Sequence, residues 1–298
     1  MIQRGRPTRR PGYTFIELMM VVAIIALLVA LLLGGINKVV QLQSRTETTS
    51  DIMQMAKSLQ VAKIEYNHVE YLPSRLRLWK DSAKYTDPAA DAVTKATANV
   101  LRSMFGKRIF HVANNVSNKF AGWGVPDGTE LKGAECLVFY LGGMPDTVNK
   151  KCNGFSTDAL DPTKVGGERK GPYYAFKSSR LVTGPSGTYF MYLDPYGSPY
   201  AYFGAYTAGE YAPTAIYGAS QVNTDNSNLG LTDAYFDTAS PKRWMSPNTF
   251  QIISAGRNKA FGSGGKVIVS TNSPGRTDED SSDNLTNFSQ TELGNPIE

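Results

Sequence analysis

The first residue of this 298-residue chain to ask about chemistry is one carboxylate. Glu17 stands at the head of the apolar run in "RRPGYTFIELMMVVAIIALLVALLL", Arg9 to Leu33, and no further charge occurs until Lys38. An ionised acid in a membrane-length helix costs about 3 kcal/mol at mid-bilayer and less toward the ends, so it marks function and calls for a partner. Gly12 and Tyr13 lie between a basic leader and that run. A chain cut after Gly12 would carry a new α-amino group on Tyr13, with Glu17 four residues further on. The amine of one molecule could then neutralise Glu17 of its neighbour, and in a low-dielectric bundle that pairing would set the axial register.

Other chemistry-bearing residues are sparse. Cys136 and Cys152 form no CxxC and have no His nearby in sequence, which excludes a zinc site of the usual spacing. Two readings stay open for them: a disulfide contributing ~3 kcal/mol in an exported domain, or two unpaired buried thiols. The two histidines, His68 and His111, lie in unrelated contexts. "GPSGT" (Gly184–Thr188) misses the nucleophile-elbow spacing, and Ala260 stands where a phosphate-binding loop ending in "GSGGK" would need its first glycine. No catalytic constellation emerges, so the chain is not expected to be an enzyme. Asp278, Glu279, Asp280, Asp283 and Asn284 crowd together after a Gly-rich stretch. Such oxygen ligands in a loop suit calcium, although the order of an EF-hand is absent; the alternative is a solvated acidic segment.

Composition narrows the classes further. The formal charge is +5, but Arg4, Arg6, Arg9 and Arg10 precede Gly12 without any acid; removing them leaves 27 basic residues against 26 acidic. The pI of about 9.0 therefore does not argue for nucleic acid as a partner, and no basic stripe with interleaved aromatics replaces the leader. The run from Leu18 is long enough to span a hydrocarbon core of ~30 Å, and the positive-inside rule keeps the Arg-rich side cytoplasmic. Leu32 and Leu33 occupy positions where a signal peptidase site would need small residues. A plain signal anchor explains the arginines and the apolar run but not Glu17.

Beyond the run, Ile52, Met55, Leu59, Ala62 and Tyr66 follow steps of three and four, with Asp51, Gln54, Lys57, Lys63 and Asn67 on the other face. One helix from about Tyr13 to about Tyr71 is expected, ended by Pro73. Ala89–Phe105 reads as a second helix. "CLVFYLGG" (Cys136–Gly143) is a buried strand or a short helix, which its period does not decide. "TYFMYL" (Thr188–Leu193) and "PYAYF" (Pro199–Phe203), separated by a Pro-Gly turn, read as a hairpin, and "FQIIS" (Phe250–Ser254) and "KVIVS" (Lys266–Ser270) as further strands.

The N-terminus resembles that of type IV pilins and type II secretion pseudopilins, in which Gly is followed by Phe-Thr-Leu-Ile-Glu and a hydrophobic helix. Gly12, Thr14, Ile16, Glu17 and Leu18 fall in place, with Tyr13 for the usual Phe and Phe15 for the usual Leu. The resemblance implies cleavage after Gly12 by a prepilin peptidase, N-methylation of Tyr13 and a role for Glu17 in assembly. "LDPYGSPYAYF" is similar to the "DPWGNPY" segment of major pseudopilins, and "FQIISAGRNKAFGSGG" to the strand and loop where that family often binds calcium. Asn258 and Lys259 stand in place of the family's Asp-Gly step. Calcium ligands, if present, would come from Asp278, Asp280, Asp283 and Asn284.

The expected fold is α+β and pilin-like, a long N-terminal helix, half of it transmembrane, packed on a small antiparallel β-sheet. The expected organisation is a cleaved leader (1–12), the membrane or filament-core half of the helix (13–37), its extracytoplasmic half (38–72), a variable middle region (73–187) and a β-rich part (188–298). The expected function is a structural subunit of a type II secretion pseudopilus, held in the bacterial inner membrane with its C-terminal domain outside the cytoplasm until assembly. Its partners would be other pilin or pseudopilin subunits, a prepilin peptidase, an inner-membrane assembly platform and the lipid bilayer. A type IV pilus subunit is the alternative within the family, and a membrane-anchored extracytoplasmic binding domain the alternative of another class.

Overall fold

The computed structural model describes residues 12–110, 112–113, 116–117, 119–239, 242–267, 279–289 and 292–293. They belong to two compact units, Met1–Ser44 and Arg45–Glu298, and one helix, α1 (Phe15–Glu65), contributes to both. The class is α+β, with small sheets that are antiparallel except for one parallel pair. In the first unit the large apolar side chains from Phe15 to Val29 are exposed all round. The helix there rests on its own backbone bonds and on good helix formers such as Leu, Met and Ala. Among the described residues no helix is long and apolar enough to cross a membrane. Phe15–Val29 gives ~22 Å of helix, short of a ~30 Å core, and the sequence continues it with Ala30 and Leu31–Leu33.

In the second unit α1 has a conventional reason to be a helix. Ile52, Met55, Leu59, Ala62 and Tyr66 are buried, as their period predicts. The polar face differs from expectation at Asp51, which is buried. Its Oδ2 meets Arg180 Nη2 at 2.7 Å, and it accepts from the Tyr174 and Tyr200 hydroxyls at 2.9 and 3.2 Å. One turn earlier Glu47 takes Lys177 Nζ at 2.6 Å and Arg180 Nη1 at 3.1 Å. The helix ends at Glu65 rather than near Tyr71. Asn67 and His68 adopt positive φ (54° and 58°), and Val69 N donates to Lys63 O at 3.0 Å. That six-residue closure terminates the helix before Pro73 can act.

After the helix come β1 (Arg75–Leu78) and α2 (Ala92–Phe105). The latter starts three residues later than expected because Asp91 caps it, accepting from Val93 N and Thr94 N at 3.0 and 3.1 Å. Antiparallel to β1 runs β2 (Thr129–Lys132). The "CLVFYLGG" segment is α3 (Ala134–Gly142), buried along its whole length, Glu135 included; a helix buried on every side shows no amphipathic period, which is why the sequence left it open. Two of its side chains, with Tyr202 from later in the chain, serve the segment that follows α1. Tyr202, Tyr140 and Cys136 donate to the successive carbonyls of Leu72, Pro73 and Ser74 at 2.6, 2.8 and 3.3 Å. Buried tyrosines thus pair the backbone of a connection that has no ladder of its own.

β3 (Leu181–Thr183) and β4 (Phe190–Tyr192) pair antiparallel. The expected hairpin is short: Leu193 and Pro199 bridge antiparallel, with Tyr200 N donating to Tyr192 O at 2.9 Å and Asp194 N to Ser198 O at 2.7 Å, and the ladder does not continue into β5 (Ala201–Gly204). Instead β5 lies beside β8 (Phe250–Ser254), once β6 (Asp233–Ala239) and β7 (Lys242–Trp244) have been made. β9 (Gly264–Lys266) pairs parallel to β6, and β10 (Leu285–Thr286) completes the β5-β8-β10 sheet. The strand expected over Lys266–Ser270 thus begins earlier, and 268–270 lie outside the described residues. Tyr202, Phe250 and Ile252 enter the core that holds the α1 stripe, whereas Ala201, Phe203 and Ile253 enter a second core with Tyr211, Tyr235 and Trp244. A sheet buried on both faces reads as a continuous apolar run, as "FQIIS" does.

Candidate functional site

The start of α1 is the first site. Gly12 has open space around its Cα and Tyr13 is 92% exposed, so the Gly12–Tyr13 bond is reachable by a peptidase. Thr14 then caps the helix. Its N–H and its hydroxyl donate to Glu17 Oε2 at 2.8 and 2.9 Å, and Glu17 N donates back to Thr14 Oγ1 at 3.4 Å. This is the reciprocal capping box that Thr-x-x-Glu spells, a signal present in the sequence and missed there. In the single chain Glu17 therefore already has a partner and a local task, and its charge also suits the positive end of the helix dipole. A new amine at Tyr13 would be made beside this box.

A second constellation gathers the two C-terminal segments singled out by resemblance. Asp194 is buried. Its Oδ1 accepts from Tyr196 N and Ser198 N, both at 2.9 Å, and its Oδ2 from Ser254 Oγ at 2.6 Å. Burial pushes its carboxyl above the usual carboxylate range, and these hydrogen bonds pull the other way. Ser254 Oγ in turn accepts from Gly256 N at 3.1 Å. Gly256 (φ +67°) lies so close to Asp283 that a Cβ would stand 2.2 Å from the Asp283 carbonyl oxygen, a place for glycine alone. Asn258 fastens the far side: its N–H donates to Asp283 Oδ2 at 2.9 Å and its Nδ2 to Asp280 O at 2.7 Å. The role of Asn258 was not visible in sequence, where it stood out only as a departure from the family's acid.

Of the expected calcium ligands, Asp278 lies outside the described residues, while Asp280, Asp283 and Asn284 fall in this loop. Among the described residues, Asp283 Oδ1 and Asn284 Oδ1 are buried acceptors with no hydrogen-bond partner. Asn284 is held in place by its other amide atom, which donates to Tyr235 OH at 3.0 Å and Phe261 O at 2.9 Å. Orphaned oxygens on consecutive residues fit a hard cation. The charge count is low, for among the described residues no group of three or more His, Cys, Asp or Glu could hold a metal.

The cysteines are not joined. Cys136 sits near the start of α3 with its thiol on the Ser74 carbonyl, while Cys152 abuts Gly142 at the other end, where a Cβ would meet its Sγ at 2.6 Å. The two thiols thus lie against opposite ends of α3, whose Cys136–Gly142 span rises ~9 Å. Burial raises both thiols, that of Cys152 to about 12, so neither is a reactive thiolate. His68 is exposed at the end of α1, and His111 lies outside the described residues.

Residues 8–33 match the protein-family model described as the prokaryotic N-terminal methylation motif. Searches of curated proteins and of solved structures returned no match. Gly12, Tyr13, Thr14 and Glu17 all lie inside the matched stretch, so the chain carries at its N-terminus a motif of the kind found on type IV pilin-like prepilins.

Proposed function

We propose that the chain is a pseudopilin of a type II secretion system, cut after Gly12, N-methylated on Tyr13 and polymerised through the first part of α1. The observation that carries the subtype is the meeting of the "DPYGSPY" turn and the "FQIISAG" strand through the Asp194–Ser254 hydrogen bond of 2.6 Å. The two segments that resemble the major pseudopilin thereby form one structural unit with the Asp283 loop.

The work is packing rather than catalysis. The leader stays cytoplasmic, the apolar helix (Phe15 to Leu33 in sequence) waits in the inner membrane, and the rest of the chain lies outside the cytoplasm. On assembly, helices of neighbouring copies replace lipid, the Tyr13 amine of one copy meets Glu17 of the next, and heterologous contacts extend an open filament. A cation, if taken up, would be held by Asp283 Oδ1 and Asn284 Oδ1 and would tie the 279–284 loop to the 254–258 turn.

Intact mass of the membrane-extracted protein tests processing: the expected species is Tyr13–Glu298 with one added methyl group, and any other N-terminus counts against the whole reading. Deletion of the gene separates the subtypes, since loss of exoprotein secretion supports a pseudopilus and loss of surface fibres alone a pilus. Calcium should raise the melting temperature, and Asp283→Ala should abolish the rise; a melting temperature indifferent to calcium removes the cation from the proposal.

A further inference from the structure

Charge is unevenly placed along this chain. Residues 73–187 carry 17 Lys and Arg against 10 Asp and Glu, and residues 188–298 carry 6 against 11. Within the first of these, the stretch 92–126 holds Lys95, Arg102, Lys107, Arg108 and Lys119 and no acid. Lys119 is paired with Asp81. The other four belong to α2 and the turn that follows it. Lys95 and Arg102 stand seven residues apart and so share one stripe of the helix. The Arg102 guanidinium carbon lies 5.3 Å from the centroid of the Phe110 ring, and Phe110 ends the short 3-10 turn Lys107–Phe110. Lys107 and Arg108 are exposed on that turn.

Cations elsewhere in the domain are mostly paired with carboxylates, as Arg75, Arg77, Arg180 and Lys242 are. Among the described residues Lys95 and Lys107 form no ion pair. Two carboxylates border the stripe. Asp91, one turn before Lys95, caps α2 and takes Arg77 Nη1 at 2.6 Å, so its charge is balanced. Glu70 shares a groove with Asn99 and Ser103 of α2 and accepts from the Tyr71 hydroxyl at 2.8 Å. Glu70 keeps its charge, which leaves four cations against one acid. The needs of the helix explain part of this. Lys107 and Arg108 follow its C-terminal end, where cations complement the dipole, but Lys95 stands four residues after the Asp91 cap, near the end where a cation is disfavoured.

We propose that this stripe docks on the anionic headgroup layer of a lipid bilayer, its cations facing lipid phosphates. A domain held outside the cytoplasm by an anchor, as proposed above and as this inference requires, has headgroup phosphates within reach, and Lys and Arg close to such a surface are attracted over about one Debye length. Among the described residues no large apolar side chain from Tyr66 to Asp146 is exposed. The stripe therefore offers nothing to wedge into acyl chains and no free ring on which bases would stack, which favours headgroups over single-stranded nucleic acid. Lys95 and Arg102 alone are separated by ~10 Å of helix rise, a spread that suits an array of single phosphates better than one compact anion.

The test uses the full-length chain reconstituted in phosphatidylcholine nanodiscs and mixed with vesicles of phosphatidylglycerol or of phosphatidylcholine. Co-sedimentation is expected with phosphatidylglycerol at about 0.05 M salt and is lost at about 0.5 M, where charges are screened within a few ångströms. Lys95→Glu combined with Lys107→Glu should weaken that binding about tenfold or more. The same charge change at two exposed lysines elsewhere, Lys57→Glu with Lys150→Glu, should weaken it far less, with the melting temperature of both double variants unchanged. Equal losses in the two double variants, or equal binding to both kinds of vesicle, overturns the inference. Tighter binding of a single-stranded oligonucleotide than of phosphatidylglycerol vesicles overturns the choice of partner. A chain that does not enter the discs ends the anchored reading and this one with it; a chain that enters them and ignores phosphatidylglycerol ends this inference alone.

Discussion

The early and late parts of α1 share one helical backbone but not one reason for it. From Phe15 to Val29 the large apolar side chains are exposed, and the start is fixed locally by Thr14 and Glu17. From Glu47 to Tyr66 the helix is held from outside itself, by an apolar stripe and by Arg180 and Lys177. The difference teaches where each sequence was constrained. The early part keeps its apolar side chains exposed, and the late part is written for the core of its own domain. Substitutions should therefore divide cleanly. Changes late in α1 should move the folding of the domain, and changes early in α1 should leave folding alone and act on anchoring and assembly.

The largest break should come from the stripe. Leu59 is fully buried, so Leu59→Ala should cost ~4 kcal/mol, within the range of cavity-forming substitutions, read as a fall in denaturation midpoint. Arg180→Met comes next. It leaves the Asp51 carboxylate buried with only the Tyr174 and Tyr200 hydroxyls, and should cost ~3 kcal/mol, the low end for an orphaned buried charge. The loss should shrink in Arg180→Met combined with Asp51→Asn; equal losses in single and double variants would mean that the Arg180 stem, packed on the Tyr192 ring with its guanidinium carbon 4.5 Å from the ring centroid, matters more than its charge.

The third effect is smaller and depends on pH. The hydrogen bond from Lys177, with the charges of Lys177 and Arg180, holds the Glu47 carboxyl below its usual value of 4.5. A depressed folded value means that the stability Glu47 adds is present above its unfolded value and is lost as pH falls through the folded one. Wild type should therefore lose more stability than Glu47→Gln between pH 5 and the acid limb, measured by urea midpoints at a pH series. Parallel acid limbs would show that Glu47 adds no pH-dependent hold on the helix.

The N-terminal motif was legible because its information is contiguous: a basic stretch, a Gly-Tyr step, an acid and an apolar run within 33 residues. The buried stripe was legible for the same reason, since a 3.6-residue period is local. What sequence could not give were pairings closed over long separations. Asp51 looked like one more polar-face residue because Arg180 lies 129 residues away. β5 was assigned to its nearest aromatic neighbour, whereas its ladder is with β8. The Asp194–Ser254 bond, which joins the two segments of resemblance, spans 60 residues. The local pattern was right about the turn at 194–198, wrong about the burial of Asp51 and the ladder of β5, and silent about the bond from Asp194 to Ser254.

The finest division concerns Glu17, which has two tasks that one substitution confounds. Glu17→Ala removes both the cap and the charge. Glu17→Gln keeps an oxygen for the Thr14 N–H and hydroxyl while removing the charge, since Gln serves a capping box as Glu does. Thr14→Val removes the cap and keeps the charge, at ~1 kcal/mol, and should speed hydrogen exchange of the Glu17 and Leu18 amides about fivefold without moving the domain's melting temperature. If Glu17 acts through its charge on a neighbour's Tyr13 amine, filaments should fail in Glu17→Gln and survive in Thr14→Val. If the order is reversed, the acid at the head of the apolar run is there to start a helix, and the early part of α1 is more like the late part than their surroundings suggest.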